Sequence, residues 1–526
     1  MFPKSGSSVR LSIQKKIARN AVYNFLAKVI ALTFGFVISV VVARFLGADR
    51  YGVYSFAIWL LSTVGLLVNL GIPTTLTKYL SEYWGRKDFS AISSMLSRLL
   101  RFELMAGVVV SLLLFLLAPV ISRWYDNPDL SLYLKVASLV ILPLGLVWFY
   151  NGLFCGLQRF DLIAKVNLLV YPLSLIITLL VLHWGGKIEW LVGVSAIVNI
   201  LFVASYIYLK RTAFAFVQRG GSTYDFGGKL LKFSATVFVV MLLDTIVWER
   251  FGIFFLSIFS TSSEIAFYNV AFILSSRTMI LLPGALTGIL LPTMSEAYGG
   301  GNREELAEVH ANSTRYLAML SFPLCCGGVA IARQLFPVLY GSSFQPASFI
   351  FVILLLGGTV GFVSTSSSSL LYGAELQRIV LRVGILCAVL NLLGSWLLVP
   401  ALGAKGAAFA TALSQTVGGV AVIIYAYKNL MKQRFPITSI LRIFFASGLM
   451  GCVAFFLAES GKGLTGLVFA LIISVPLYTF ALFATKSLTY EDIDLVEAAI
   501  ARLPQAWGSA VRPIFRRLVK SFYSSK

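Results

Sequence analysis

The sequence predicts an all-α integral membrane protein of about 14 transmembrane helices, arranged as two pseudo-symmetric six-helix lobes plus two C-terminal helices. Three observations predict this fold: an apolar composition, apolar runs that recur along the chain, and an internal repeat. Of the 526 residues, 58% are hydrophobic and 12% charged, and the mean hydropathy is +0.87. A soluble chain is only roughly 45–50% apolar, so a soluble core cannot absorb this composition.

The apolar runs are long enough to cross a bilayer as helices, which takes about 20 residues each. Helices are required because lipid offers no hydrogen-bond partner to backbone N–H and C=O groups. The runs predict six spans, then six, then two, at 21–43, 52–72, 95–121, 132–155, 162–183, 189–209, 231–258, 264–292, 312–334, 346–371, 379–399, 404–427, 438–458 and 464–485. The predicted regions are a basic cytoplasmic N-terminus 1–20, an N-lobe 21–210, a cytoplasmic linker 211–230, a C-lobe 231–427, a helix pair 428–485 and a cytoplasmic amphipathic tail 486–526.

The charge distribution predicts the orientation of the spans. The net charge of +21 is spread over many short interhelical segments, which argues against a nucleic-acid partner. With the N-terminus inside, most lysines and arginines of the short loops fall on the same side as the termini. The positive-inside bias therefore predicts a multi-pass protein of the cytoplasmic membrane with both termini cytoplasmic. The first apolar run is too long for a signal-peptide core, so we expect it to be retained as a span.

An internal repeat divides the chain into two six-span units. Residues 52–54 (GVY) recur as 266–268 (AFY), and residues 81–85 (SEYWG) recur as 295–299 (SEAYG), both at an offset of 214. An even number of spans per unit restores the same orientation. The repeats are therefore expected to be related by an axis along the membrane normal, with a substrate path between them.

The polar residues inside the predicted spans are the candidate site. Asn20, Asn24 and Lys28 fall on one face of the first span at i, i+4 and i+8. This face is predicted to line a cavity in which Lys28 binds a phosphate. The alternative is that Lys28 snorkels to the interface.

Two further groups of ionisable residues are candidates. Arg277 is predicted near the middle of the eighth span, where it binds an anion, pairs with Asp244 of the seventh span, or does both if substrate competes for it. Glu249 is expected to pair with Arg250 or reach the interface. Arg98 and Arg101, in the cytoplasmic third of span three, are predicted to guide a phosphate inward or to act only as positive-inside residues. The predicted substrate-binding residues are therefore Asn24, Lys28, Arg98, Arg101 and Arg277. The predicted ion-pair or coupling residues are Asp244 and Glu249.

Nothing in the sequence indicates an enzyme, a metal site or a cofactor. His183, near the outer end of a span, and His310, predicted in a cytoplasmic loop, have no ligand-type neighbours. The five cysteines lack metal-type spacing and are expected to be packing residues. No Gly-x-x-x-x-Gly-Lys loop supports ATP binding. The 365–369 run (TSSSS) offers hydroxyls to sugars or permits close helix packing.

Several segments together resemble the polysaccharide transporter (oligosaccharide flippase) family of the multidrug/oligosaccharidyl-lipid/polysaccharide flippase superfamily. They are 43–48 (ARFLGA), 51–54 (YGVY), 70–73 (LGIP), 78–83 (KYLSEY), 156–160 (GLQRF) and 283–296. The resemblance implies two six-helix lobes around a central cavity that opens alternately to each side. It also implies a polyprenyl-phosphate or -pyrophosphate glycan as substrate. Arg277 resembles a cavity arginine of related peptidoglycan-precursor flippases, whose arginines in spans one and two have no counterpart here.

Three functions follow as hypotheses. The first is translocation of a lipid-linked oligosaccharide for surface polysaccharide assembly by a monomer, with membrane lipids and glycan-assembly enzymes as partners. The second is a cation-coupled multidrug antiporter of the same superfamily, which would need a cavity carboxylate; Lys28 in span one disfavours it and Asp244 keeps it open. The third, a glycan polymerase or glycosyltransferase, would need carboxylates and a large extramembrane loop, and the predicted outer loops are short.

Overall fold

The computed structural model describes residues 5–125, 127–213, 228–248, 250–281, 284–301, 303–431, 436–461, 463–501 and 505–523. Within these ranges the chain forms helices and turns and no β-strand, so the predicted all-α class is confirmed. The chain divides into two compact units, Met1–Asn269 and Val270–Lys526. The predicted lobe boundaries stay a prediction, because most of the predicted linker 211–230 lies outside the described residues.

The first unit contains eight helices and the start of a ninth. They are α1 (Ser5–Asn69), α2 (Ile72–Gly85), α3 (Phe89–Trp124), α4 (Pro128–Gly156), α5 (Phe160–His183), α6 (Ile188–Ala213), α7 (Lys229–Trp248), α8 (Gly252–Phe259) and α9 (Ser262–Leu281). Helix α1 covers the first two predicted spans and bends at Gly47, whose φ of 72° lies in the left-handed region that favours glycine.

The second unit begins within α9 and ends with two helices that follow the last span. Its helices are α10 (Gly284–Gly299), α11 (Arg303–Tyr340), α12 (Ala347–Val363), α13 (Thr365–Gly373), α14 (Gln377–Leu402), α15 (Ala404–Tyr425), α16 (Ile437–Ser460), α17 (Leu464–Ala484), α18 (Tyr490–Ala501) and α19 (Gln505–Tyr523). A short π-helical segment, Ala426–Met431, continues α15.

Eleven helices among the described residues are long and apolar enough to cross a membrane. One of them, Val22–Asn69, spans the Gly47 bend and corresponds to two predicted spans. One other predicted span, 231–258, is divided between α7 and α8, and the predicted span 264–292 includes residues outside the described ranges between α9 and α10. A multi-pass membrane protein is therefore confirmed, while the count of fourteen stays a prediction.

Small residues let the helices of the first unit pack closely. A Cβ on Gly152 of α4 would lie 2.6 Å from the Cα atom of Pro73 in α2. The same two helices are joined by hydroxyls, since Ser81 Oγ donates to the Gly156 carbonyl oxygen at 2.7 Å. Close approach of backbones is the usual source of helix association in lipid, where no hydrophobic force drives helices together.

A buried polar network lies in the second unit, and it corrects the placement of His310. His310 is not in a loop but fully buried in α11, with Nδ1 3.1 Å from the Tyr427 hydroxyl and Nε2 2.9 Å from Ser367 Oγ. Thr314 Oγ1, one turn further, lies 2.8 Å from Ser366 Oγ. These two serines of the 365–369 run therefore take part in packing between α11 and α13, one of the two predicted uses.

The C-terminal helices α18 and α19 pack against earlier helices of the second unit. Ile493 and Ile500 of α18 and Phe515 of α19 form a buried cluster with Phe483 of α17. The Arg315 guanidinium of α11 donates to the Asp492 carboxylate at 2.9 Å, with both side chains 6% exposed. The described apolar side chains of this cluster therefore pack against protein. The basic residues Arg512, Arg516, Arg517 and Lys520 are exposed.

Candidate functional site

Two lysines of the first unit lie against one buried tyrosine. The Lys78 Nζ atom of α2 is 5.0 Å from the ring centroid of Tyr79, and the Lys229 Nζ atom of α7 is 5.3 Å from the same centroid. Lys78 Nζ also lies 4.1 Å from the ring centroid of Phe233. Both lysines are exposed, whereas Tyr79 is 2% exposed. Two cations from two different helices therefore lie beside the ring of Tyr79.

Local structure explains why α2 and α7 meet here. Gly71, with a φ of 73°, precedes α2, and a Cβ on it would lie 2.5 Å from the Ser234 carbonyl oxygen of α7. The hydroxyls of Thr75 and Ser234 are 2.6 Å apart. Only glycine both adopts this backbone conformation and leaves room for α7. One turn beyond Thr75, this contact places Tyr79 edge-on to Phe233, with ring centroids 5.5 Å apart.

Lys28, the cation predicted on the first span, lies near the C-terminal end of α4. The same end of α4 contacts α2. Lys28 is exposed and close enough to the Cys155 thiol for an electrostatic interaction. Asn167 Nδ2 of α5 donates a hydrogen bond to the carbonyl oxygen of Ala27, the residue before Lys28, at 3.0 Å. This hydrogen bond joins α5 to α1. Asn24 is half-buried one turn before Lys28. That this face lines a cavity and that Lys28 binds a phosphate there stay predictions.

Three lysines of the first unit carry no acidic partner within the described part of the chain. The ion pairs there join Arg86 to Glu82, Arg159 to Asp161, Arg315 to Asp492, Arg333 to Glu459 and Arg516 to Glu497. Lys28, Lys78 and Lys229 are in none of them. An arrangement of exposed cations without carboxylates is chemically suited to an anion such as a phosphate.

Arg98 and Arg101 lie on a different kind of surface. Both are exposed, and the face of α3 that carries them continues into large exposed apolar side chains, Met105, Val109 and Leu112. The opposite face of α3, with Met95 and Leu99, is the buried one. A strip of exposed apolar residues on a spanning helix is typical of a lipid-facing surface, so this placement favours the positive-inside interpretation of the two arginines.

The remaining predicted site residues are Arg277, Asp244 and Glu249. Arg277 is half-buried and lies in the last described turn of α9, which extends to Leu281. The backbone of Asp244 belongs to α7, but its side chain lies outside the described residues. Glu249 lies outside them entirely. Arg277 belongs to the second unit and the lysines to the first.

A second polar cluster in the first unit was not predicted from the sequence. Asn269 Nδ2 of α9 donates to Ser55 Oγ of α1 at 3.0 Å, and Arg250 donates to Asn269 Oδ1 at 2.7 Å. The Tyr51 hydroxyl accepts from Asn269 at 3.4 Å and lies 2.9 Å from Ser39 Oγ. Asn269 and Ser55 are 3% and 2% exposed. Arg250, expected to pair with Glu249 or reach the interface, therefore has an amide as its observed partner.

Close packing accompanies this cluster. Ser263 at the start of α9 donates a hydrogen bond to Asp49 of α1, and Gly52 lies directly against the Ser262 carbonyl, leaving no room for a Cβ. The sequence signal that could have identified it was the repeat itself, since 52–54 and 266–268 are repeat equivalents.

Comparison with known proteins places these features in context. Residues 41–349 match the model of a family described as polysaccharide biosynthesis protein. The probable low-salt glycan biosynthesis flippase Agl15 of Haloferax volcanii is 23% identical over 414 residues, covering 77% of this chain and 82% of its own. The lipid II flippase MurJ of Bacillus subtilis is 21% identical over 442 residues, covering 77% of this chain and 79% of its own.

A solved structure shows the same fold. It is a lipid II flippase MurJ in an inward closed conformation, which matches with a TM-score of 0.71 at 14% identity and covers 88% of this chain and 98% of its own. The resemblance to flippases noted from the sequence segments is thereby confirmed.

Proposed function

This chain belongs to the polysaccharide biosynthesis protein family, and from that premise we propose that it is a flippase. Its substrate is a polyprenyl-phosphate- or pyrophosphate-linked oligosaccharide, which it translocates across the cytoplasmic membrane by alternating access for surface polysaccharide or glycoconjugate assembly. The relatives named as glycan flippases support this assignment. A flippase is a transporter, so no bond in the substrate is made or broken.

One observation carries the proposal: Lys28, Lys78 and Lys229 are exposed cations with no carboxylate partner in the described ranges. A lipid-linked glycan presents its phosphates at the junction between lipid tail and sugar, so the protein must offer positive charge there. Lysine contacts to an aromatic face are worth about 0.5–1 kcal/mol at exposed sites. Hydrogen bonds to charged groups are worth about 1.5–3 kcal/mol, so a phosphate displaces the rings from the ammonium groups.

The Ser55–Asn269 cluster supplies the second part of the cycle. It joins α1 to α9 by buried hydrogen bonds. In our proposal these bonds form in one conformation and separate in the other, which gives the substrate access to the opposite leaflet. The number of hydrogen bonds is small, so their separation is compatible with a reversible cycle.

Other parts of the proposal extend the sequence predictions. The termini are cytoplasmic, the protein acts as a monomer, and glycan-assembly enzymes supply its substrate. Arg277 binds substrate anion in the second unit, Asn24 donates hydrogen bonds beside Lys28, and Asp244 and Glu249 serve as ion-pair or coupling groups. Arg98 and Arg101 act at most as an entry surface for the phosphate.

The test is a leaflet-accessibility assay on the purified full chain in vesicles. The probe is a polyprenyl-pyrophosphate disaccharide with a fluorophore on the sugar, quenched from outside by a membrane-impermeant reductant. Vesicles with protein are expected to expose the inner-leaflet probe with time, and protein-free vesicles are not. The Lys28→Ala/Arg277→Ala variant is expected to be slow. Equal rates with and without protein would rule out the function; a wild-type rate in the variant would remove these two residues from it.

The multidrug antiporter remains the alternative because Asp244 supplies a carboxylate of the kind that such a transporter would need. The same vesicles, loaded with a fluorescent cationic dye under a pH or sodium gradient, distinguish the two functions. Gradient-driven dye efflux without glycan transfer would favour the antiporter.

A further inference from the structure

A buried acid lies in the middle of the first unit and has no partner there. Glu103, on the apolar helix α3, is 0% exposed. Neither of its carboxyl oxygens accepts or donates a hydrogen bond within the described part of the chain. An ionised carboxylate in such a place is very unfavourable unless it is paired. Glu103 is not among the site residues predicted from the sequence.

The packing around Glu103 explains why water and cations are kept away. A Cβ on Gly145 of α4 would lie 2.8 Å from Glu103 Oε1 and 2.7 Å from Val68 Cγ1 of α1. One turn along α3, a Cβ on Gly107 would lie 2.6 Å from Leu142 Cδ1. Gly145 therefore provides the space that the carboxyl group fills.

No charged side chain of the neighbouring helices forms an ion pair with Glu103 in the described ranges. Along α4 the nearest charged residue to Gly145 is Lys135, ten positions away, or about 15 Å at 1.5 Å per residue. The titratable or charged residues of the packed helices are Arg10, Lys15, Lys16, Arg19, Tyr23, Lys28, Arg44, Asp49, Arg50, Tyr51 and Tyr54 on α1, Lys78, Tyr79, Glu82 and Tyr83 on α2, Asp129, Tyr133, Lys135, Tyr150 and Cys155 on α4, and Arg98, Arg101 and Arg123 on α3 itself.

We propose that Glu103 is a proton-binding site that couples translocation to a proton gradient, an inference that rests on the proposed flippase function. In the conformation described here the carboxyl group is the neutral acid, since ionisation without a partner is prevented by burial. In the alternate conformation the α3–α4 contact opens, water reaches Glu103, and the proton leaves to that side. In a conformation open to the other side Glu103 takes up a proton from that side, which restores the packed state, so one proton is carried per cycle.

The direction of the pH effect follows from this scheme. The packed conformation requires the protonated acid, so it is fully populated at low pH. Raising the pH removes the proton and favours the conformation in which Glu103 is hydrated. One pH unit changes the ratio of protonated to ionised groups tenfold, so the translocation rate is expected to change by up to about tenfold per unit of imposed gradient.

The first measurement needs no substrate. Infrared difference spectra of the full chain in vesicles, taken between acidic and alkaline buffer, should contain the carbonyl stretch of a protonated carboxylic acid, shifted in heavy water. The Glu103→Gln variant should lack this band, because glutamine has nearly the shape of the neutral acid and preserves the packing. The Glu491→Gln variant, in which an exposed acid of α18 is changed, should retain it. A band that survives in Glu103→Gln would overturn the proposal.

The second measurement uses the fluorescent polyprenyl-pyrophosphate disaccharide with an imposed pH gradient. Wild-type and Glu491→Gln proteins should respond to the gradient, and Glu103→Gln should translocate without responding. Glu103→Asp, which keeps a carboxyl group, should restore a response. If Glu103→Gln lacks the infrared band but still responds to the gradient, Glu103 is a structural acid and the coupling role is wrong. If wild-type protein moves no glycan at all, the proposed function fails, whereas the infrared result still decides whether Glu103 binds a proton.

Discussion

The Asn269 side chain donates a hydrogen bond to Ser55 Oγ at 3.0 Å, and the two residues are 214 positions apart. This separation equals the offset of the internal sequence repeat. Ser263 and Asp49, which also form a hydrogen bond, are separated by the same 214 positions. Two segments that are equivalent in the repeat therefore pair with each other through equivalent residues, as is expected close to a local two-fold relation. In the proposed transport cycle, this contact between repeat-equivalent residues is the one that opens.

A disulfide across this contact should stop transport. We expect Ser55→Cys/Asn269→Cys, built in a background that lacks the five free cysteines, to be inactive after oxidation and active again after reduction. The reason is that a covalent link prevents the separation of α1 from α9. Each single cysteine variant serves as the control and should be insensitive to oxidant. Full translocation by the oxidised double variant would show that this contact does not open during the cycle.

The lysine pair on Tyr79 should contribute to substrate binding as two separate cations. We expect Lys78→Ala and Lys229→Ala each to slow translocation by roughly 10- to 100-fold at limiting substrate, the equivalent of about 1.5–3 kcal/mol for a hydrogen bond to a charged group. Lys187→Ala is the matched control, because Lys187 is also exposed and lies 5.8 Å from an aromatic centroid, that of Trp190. Equal effects of all three changes would show that net charge alone matters.

The buried ion pair between Arg315 and Asp492 should stabilise the C-terminal helices. Breaking a buried pair leaves an uncompensated charge and typically costs about 3–5 kcal/mol, so Asp492→Ala should lower the thermal unfolding midpoint in detergent. Asp492 also accepts from the Tyr316 hydroxyl at 2.8 Å, which adds to the loss. The double variant Arg315→Met/Asp492→Leu removes both charges and should recover most of the stability. A double variant no more stable than Asp492→Ala would contradict this explanation.

Close helix packing in the first unit should not tolerate a methyl group at Gly152. Gly152→Ala places a Cβ 2.6 Å from backbone atoms of Pro73, and overpacking of this kind costs about 1–3 kcal/mol. Gly384→Ala is the control, since no atom lies within 4 Å of its Cβ position in α14. It should gain about 0.5–1 kcal/mol from helix propensity. Thermal unfolding of the two variants measures the difference directly.

Several properties of this protein were determined by its sequence. The membrane class, most helix positions and the repeat follow from the length and recurrence of apolar runs, because the thickness of the bilayer sets the length of a span. The family resemblance follows from ordered segments such as 43–48 and 78–83. The break before α8 was missed because hydropathy does not report where a helix is interrupted.

The tertiary structure alone decided which polar residues have partners. Glu103 is buried without a hydrogen-bond partner among the described residues, whereas Lys78 is exposed beside two aromatic rings. Asn269 and His310 likewise acquired partners more than 50 positions away. A spanning helix is apolar on nearly every face, so periodicity does not show which face meets a neighbour. The partners of a side chain depend on which helix face meets a neighbouring helix. That is decided only when the helices pack.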